Sequence, residues 1–342
     1  MALFIGVDVG GTKVLAAAVS SSGRLVRTAR RSTPDRHADA AVVEDALTDA
    51  VQDVAGKRRV DGVGIAAAGF VDAAGERVMF APHLPFRGEE VRARLMERWS
   101  TTVVLDNDAN CTARAETTYG AARGATDAIV VTLGTGIGGA LVVDGRVHRG
   151  TNGMAGEFGH MQVVPGGRAC ECGRQGCWEQ YSSGHALVRY ARARIGQEPT
   201  ALGAACGGDP DLLTGPIVTA AAEDGDLVAR QAFAEVGDWL GVGVANLVAA
   251  FDPDVVVIGG GVSAAGDQLL EPARTALARS LVGAGHRVIP PVLKATLGPE
   301  AGAVGAADMV RTVVKGNGRR ATTAGTRARA RRRAARGRAP RR

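Results

Sequence analysis

The sequence predicts an α/β protein of two lobes with related architecture and a cleft between them. Two observations predict it. The first half reads as three strands followed by alternating helix and strand, and the second half opens on the same strand, glycine turn, strand pattern. Composition agrees: of 342 residues, 46% are hydrophobic and 22% charged, as in soluble globular enzymes. At roughly 150 residues per domain, that length suggests two domains.

The elements follow in order. Ala2–Val9 is apolar and β-prone, Gly10–Gly11 is a turn, and Val14–Ser20 is a second strand. Ser21–Gly23 turns the chain into a third strand, Leu25–Arg30. Asp39–Val54 places Val42, Val43, Ala46, Leu47, Ala50, Val51 and Val54 at a helical period. A buried strand at Val60–Ala67, a helix at Glu89–Trp99, a strand at Thr102–Leu105 and a helix at Asp108–Tyr119 complete the half. The second half opens with Asp127–Leu133, the turn Gly134–Gly139, and Ala140–Val143 closing at Asp144-Gly145, a hairpin signal. Then come a helix from about Glu179, helices within Thr219–Ala249, a strand at Val255–Ile258, a helix after Ser263 and a last helix near Ala301–Val313.

Composition also excludes classes of function. Aromatics are 4% of the chain, too few for a base-stacking nucleic-acid surface. The longest uncharged stretch, Ala128–Val143, has 16 residues and four Gly, unsuited to a membrane helix. No secretory signal is visible, so a cytoplasmic location is expected. The net charge of +6 is misleading: residues 319–342 hold 11 Arg and no acid, and without them the body carries −5. That tail is expected to be disordered, either a plain solvated extension or a non-specific binder of polyanions.

Five motifs can carry chemistry. Asp8-Val-Gly-Gly-Thr-Lys13 follows a strand with a carboxylate, backbone N–H groups, a hydroxyl and an ammonium, which suit phosphate oxygens and magnesium. It is not a P-loop, because Thr12-Lys13 is reversed and a strand follows. Alone, it reads equally as a plain hairpin turn. Gly134-Thr-Gly-Ile-Gly-Gly139 satisfies G-x-G-x-x-G, but a strand and turn follow where a dinucleotide fold needs a helix. A second phosphate-gripping hairpin fits better. Gly259–Gly261, between a strand and a helix, could bring backbone against a nucleotide at a helix N-terminus, or merely serve a crowded crossover. Leu105-Asp-Asn-Asp-Ala-Asn110 puts four polar groups at a helix start. One of Asp106 or Asn107 could cap that helix, and Asp108 could take a proton from a hydroxyl.

The fifth motif is the most specific. Three of the five cysteines, Cys170, Cys172 and Cys177, follow His160 at a spacing suited to a tetrahedral zinc site. All four ligands come from the protein, so the zinc is expected to be structural. Glu157 and Glu179 flank the loop and could offer acceptors to a polyhydroxyl ligand. His160 could bind metal through one nitrogen and donate from the other.

Taken together, Asp8-x-Gly-Gly-Thr-Lys13, Asn107-Asp-Ala-Asn110, Leu133-Gly-Thr-Gly136, Glu157-Phe-Gly-His160, Cys170-x-Cys-Gly-x-x-Gly-Cys-x-Glu179 and Gly259–Gly261 resemble the ROK family of sugar kinases and repressors, over residues 3 to about 314. The resemblance implies an actin-like, hexokinase-like (RNase H-like) two-lobed ATPase fold with internal duplication. It implies a glucokinase that moves the γ-phosphoryl group of ATP to the 6-hydroxyl of glucose, with Mg2+ and a structural Zn2+. Asp108 would be the general base. Gly69, Asn107, Glu157, His160 and Glu179 would bind the sugar. Asp8, Gly10, Gly11, Thr12, Lys13, Thr135 and Gly136 would hold magnesium and phosphates, and Gly260 and Gly261 would face the nucleotide. Members are usually dimers or tetramers. His83 and Phe86 stand where Asn and Trp are frequent, Cys111 where Ala is usual, and Ala140 where Gly is frequent.

The expected organisation is a small lobe over residues 1–120, completed by the helix near 301–314, and a large lobe over 121–300 with the zinc loop at 160–177. Competing functions are a kinase for mannose, fructose or an N-acetylhexosamine, and a polyphosphate-dependent enzyme. A sugar-responsive repressor is a further alternative, but the first phosphate motif leaves no room ahead of it for a helix-turn-helix domain. No membrane contact and no specific nucleic-acid partner are expected.

Overall fold

The computed structural model describes residues 2–316; the Arg-rich segment 319–342 lies outside them. Strands β1 (Phe4–Val9), β2 (Lys13–Val19) and β3 (Leu25–Ser32) pair antiparallel. Helix α1 (Ala40–Ala55), capped by the Asp39 carboxylate on the Ala41 N–H at 2.9 Å, returns the chain to β4 (Gly62–Ala67), parallel to β1. A hairpin of β5 (Phe70–Val71) and β6 (Val78–Phe80) and helix α2 (Val91–Trp99) lead to β7 (Val103–Asn107), parallel to β4. The sheet order is β3-β2-β1-β4-β7, and helix α3 (Asp108–Tyr119) leaves its end.

The second half repeats this plan. Strands β8 (Ala128–Leu133), β9 (Ile137–Val143) and β10 (Arg146–His148) pair antiparallel. Helices α4 (Gly184–Arg192), α5 (Leu202–Ala205), α6 (Gly215–Glu223) and α7 (Leu227–Phe251) precede β11 (Val255–Gly259), parallel to β8. After α8 (Asp267–Ser280), β12 (Val292–Lys294) adds parallel to β11, and α9 spans 301–316. The order β10-β9-β8-β11-β12 matches the first sheet strand for strand. Helix α7 is long and apolar enough to cross a membrane by composition, but 61% of that span is buried inside the fold, against α8.

Alternation at period two lets each sheet bury both faces. In β2, Val14, Ala16 and Ala18 join the core under α1, while Leu15, Ala17 and Val19 pack with Ala303, Val304 and Ala307 of α9. In β8, Ile129, Val131 and Leu133 face α7, while Ala128 and Val130 meet Ala109 and Ala113 of α3. Each half thus sends one helix onto the other's sheet. The two helices cross where a Cβ on Gly305 would lie 1.8 Å from the Cys111 carbonyl oxygen, so only glycine permits the contact.

Two expected helices take another form. Instead of a helix from Glu179, Trp178–Gln180 makes one 3-10 turn, and α4 begins at Gly184 with the Ser183 hydroxyl accepting from the Ala186 N–H at 3.2 Å. The fully buried Trp178, donating to the Trp239 carbonyl at 2.8 Å, pins the segment in this form. After β11, Gly261–Ala265 is a 3-10 turn, and α8 starts only at Asp267, beyond Gly266 at φ +59°. Gly259–Gly261 therefore do not lead directly into an α-helix N-terminus as expected.

Candidate active site

Asp8 is the penultimate residue of β1, and the turn after the strand is tied down. The Gly10 N–H donates to the Lys13 carbonyl at 3.0 Å, and the Thr33 hydroxyl donates to the Gly10 carbonyl at 2.7 Å. Gly11, Thr12 and Lys13 stay exposed. His83 packs on this turn: a Cβ at Gly11 would lie 2.6 Å from the His83 Cβ. Phe86, by contrast, is 1% exposed and belongs to the core.

The polar run after β7 divides its labour. Asn107 caps α3, its Oδ1 accepting from the Ala109 and Asn110 N–H groups at 2.8 and 3.1 Å. Its Nδ2 donates to the Gly69 carbonyl at 3.1 Å. Asp106 is buried, accepts from Asn110 Nδ2 at 3.0 Å and is paired with Arg149, whose Nε lies 2.9 Å away. Capping and ion pairing thus fall to Asn107 and Asp106. Asp108, at the first helical residue, accepts from the neighbouring Ala109 N–H at 2.9 Å and from the Asn107 side chain.

Four carboxylates converge here. Burial pushes Asp108 above the usual range, against hydrogen bonds that lower it. Asp8 is pushed up to about 7 by burial and then by the Asp108 charge, with Lys13 opposing. Glu157 is pushed up to about 7 by burial, then by Asp108, then by Glu179. Asp108 therefore lies between a carboxylate of the first half and a carboxylate pair of the second. Perturbed acids gathered in a cleft mark a functional site.

The turn between β8 and β9 meets the start of α4. The Gly184 N–H donates to the Gly134 carbonyl at 2.9 Å. Beside them opens a cavity of about 970 Å³, lined by Thr135, His185, Leu213, Thr219, Gly261 and Val262 among others. That volume lies at the upper end for small-molecule sites. Gly260, at φ +82°, lets β11 cross Leu133; its added Cβ would lie 2.3 Å from the Leu133 carbonyl oxygen. Gly136 does the same for Glu179, whose Oε2 would be 2.6 Å from a Cβ there. The walls from α4 and α6 escaped the sequence reading. The Ser183-Gly-His185 cap was the available signal.

His160, Cys170, Cys172 and Cys177 bring their ligand atoms within 4.8 Å of one another. Cys172 and Cys177 Sγ are 3.6 Å apart, and Cys170 Sγ is 3.7 Å from His160 Nδ1. Zinc bond lengths of about 2.0–2.3 Å give tetrahedral edges close to these separations. The donor set and its spacing fit zinc. Glu179 Oε1 lies 3.1 Å from Cys170 Sγ and 3.7 Å from His160 Nδ1, so the cluster adjoins the carboxylate pair.

Residues 4–313 match the ROK family. The chain belongs to the ROK family. It is 41% identical over 314 residues to a glucokinase of Streptomyces coelicolor, covering 91% of this chain and 98% of that one. The crystal structure of a ROK glucokinase from Streptomyces griseus in complex with glucose and AMPPNP superposes with a TM-score of 0.84 at 43% identity, over 91% of this chain and 99% of that one. A ROK hexokinase from Thermus thermophilus gives 0.72 at 34% identity, over 92% and 99%. The fold is the two-lobed sugar-kinase fold of these ROK proteins, with the duplication visible in its two sheets.

Proposed function

We propose that this ROK protein is an ATP-dependent glucokinase. The observation that carries the reading is the coupling of Asp108 to Asp8 of the first half and Glu157 of the second, in a fold whose Gly134–Gly136 turn touches Glu179 and lines a nucleotide-sized cavity. Similarity to the two Streptomyces glucokinases supports it. Phosphoryl transfer needs positioning and charge stabilisation more than covalent help.

Glucose lies with its 6-hydroxyl on Asp108. Asp108 takes the hydroxyl proton, the oxygen bonds to the γ-phosphorus, and ADP leaves. The raised pKa makes Asp108 a stronger base than an ordinary carboxylate. Glu157 and Glu179 accept from ring hydroxyls, and His160 donates from Nε2, since Nδ1 faces the thiols. Asn107 offers the second proton of its Nδ2, and its bond to Gly69 holds that loop against the sugar. Zinc held by His160, Cys170, Cys172 and Cys177 fixes the loop that carries these groups. Asp8 holds the magnesium that arrives with ATP and offsets phosphate charge. Gly10, its N–H tied to the Lys13 carbonyl, shapes the turn from which Gly11, Thr12 and Lys13, with Thr135 and Gly136, grip phosphates, while Gly260 and Gly261 form the nucleotide floor. Apolar Leu187, Leu213 and Val262 in the cavity wall suit a nucleoside face better than a polyphosphate chain.

One assay tests the reading. Turnover of glucose, mannose, fructose and N-acetylglucosamine is measured with ATP and with polyphosphate. Glucose with ATP is expected to give the highest kcat/KM. A higher value for another sugar, or for polyphosphate, overturns it.

A further inference from the structure

A second cavity, of about 370 Å³, lies where the two halves meet, and neither the four converging carboxylates Asp8, Asp108, Glu157 and Glu179 nor the turn or metal residues above line it. Its walls come from α3 (Asn110, Arg114, Thr117 and Thr118), from Arg146 at the start of β10 and Arg149 just after it, and from Met309 of α9.

The lining is cationic. Arg149 is paired with Asp106, which also lines the cavity, and Arg114 gives Nε to Asp308 at 2.9 Å and Nη2 to Thr312 at 2.8 Å. Arg146 is exposed and has no side-chain partner among the described residues. With Arg149 matched by Asp106 and Arg114 by Asp308, Arg146 leaves a surplus positive charge at the cavity. Arginine is the side chain best matched to phosphate oxygens.

The remaining polar groups are acceptors. Asn110 is 2% exposed, and its Oδ1 has no hydrogen-bond partner. A buried polar atom left unpaired costs stability unless a ligand or water supplies the partner. The Thr117 hydroxyl donates to the Ala113 carbonyl at 2.8 Å, and the Thr118 hydroxyl to the Arg114 carbonyl at 2.7 Å. With their protons engaged, these oxygens can only accept. A ligand that fits carries an anion at one end and several O–H donors elsewhere.

We infer that this cavity binds a phosphorylated polyol: a phosphate monoester on the arginines, with free hydroxyls on Asn110, Thr117 and Thr118. A ligand there touches α3, β10 and α9, elements of both halves. The choice of probe rests on the glucokinase reading, because its product, glucose 6-phosphate, belongs to this class.

Calorimetry on the full chain with saturating glucose tests the inference without turnover. Glucose 6-phosphate is expected to bind one site per chain, at least tenfold more tightly than inorganic phosphate. Arg146→Glu is expected to weaken it more than tenfold, with kcat, glucose KM and Tm unchanged. Thr118→Val should weaken glucose 6-phosphate and leave inorganic phosphate unaffected. Loss of binding when glucose is present, indifference to both substitutions, or equal binding of inorganic phosphate would each overturn the assignment. Failure of the kinase reading shows separately, as absent glucose phosphorylation with binding intact.

Discussion

A Cβ on Gly302 would lie 2.7 Å from Oδ2 of Asp8. The second residue of α9 therefore sits directly against the carboxylate near the end of β1. The helix start offers positive dipole to that carboxylate, and the missing side chain makes the approach possible. Gly302→Ala is expected to displace the Asp8 carboxylate. A displacement of roughly 1 Å in a catalytic group costs about 10²-fold in rate. The expected result is a loss of that order in kcat/KM for ATP, a raised magnesium requirement and unchanged glucose affinity, read by steady-state kinetics and fluorescence titration. An unaltered magnesium requirement counts against this positioning role.

Asp108→Ala is expected to lower kcat by about 10²–10⁴-fold, the range for removal of a general base. Glucose affinity should change little, because Glu157, His160 and Glu179 remain. Rapid-quench measurement of the phosphoryl-transfer step separates this from an effect on product release.

Stability should depend on pH in a defined direction. Asp8 and Glu157 titrate near 7 in the folded chain, against 3.8 and 4.5 for the unperturbed groups. The folded state therefore holds their protons more tightly. Their favourable contribution is full below pH 4 and is lost as pH rises through 7. Asp8→Asn and Glu157→Gln should each raise Tm at pH 8, with much less effect at pH 4. One pK unit is worth about 1.4 kcal/mol, and solvent screening reduces the gain. Activity runs the other way. Asp108 must be ionised to accept a proton, so kcat/KM should fall on acidification, at a pH above the ordinary carboxylate range. Thermal melts and pH–rate profiles read both.

Zinc content should be one ion per chain by elemental analysis. Cys177 is 1% exposed, and Cys177→Ser removes a buried ligand. Structural zinc sites contribute on the order of 10 kcal/mol to folding of small modules. Loss of zinc, local unfolding of 160–177 by hydrogen exchange, and a large rise in glucose KM should occur together. Full zinc content in that variant would mean that the cluster is not the ligand set.

Asn107→Ala removes a helix cap, a loss of about 1 kcal/mol. It also frees the Gly69 carbonyl. Reduced Tm should therefore accompany a higher glucose KM. Asn107→Asp keeps the cap acceptor but not the Nδ2 donor, so it should restore Tm without restoring KM.

Much of the fold was legible because apolar alternation and glycine turns are local signals. β1 to β3, β8 and β9 follow from runs such as Phe4–Val9 and Ala128–Leu133, bounded by Gly10-Gly11 and Gly134. The metal cluster was legible because spacing restricts how far apart four ligands can fold. The segment after Glu179 was misread, because burial of Trp178 decides its form and burial is not local. Gly302 and Gly305 carried no signal for the same reason: a glycine inside a helix shows its purpose only when Asp8 or Cys111 is seen against it.

By itself the sequence determined which groups are present: the carboxylates, the thiols, the glycine turns and the strand, turn, strand pattern that opens each half. Only the tertiary structure decided which of four adjacent polar residues is spent on the scaffold. Asp106 answers to Arg149 and Asn107 to its helix and Gly69, and Asp108 accepts from its neighbours Ala109 and Asn107. The physical reason is that hydrogen-bond satisfaction and desolvation depend on partners distant in the chain, which residue order does not specify.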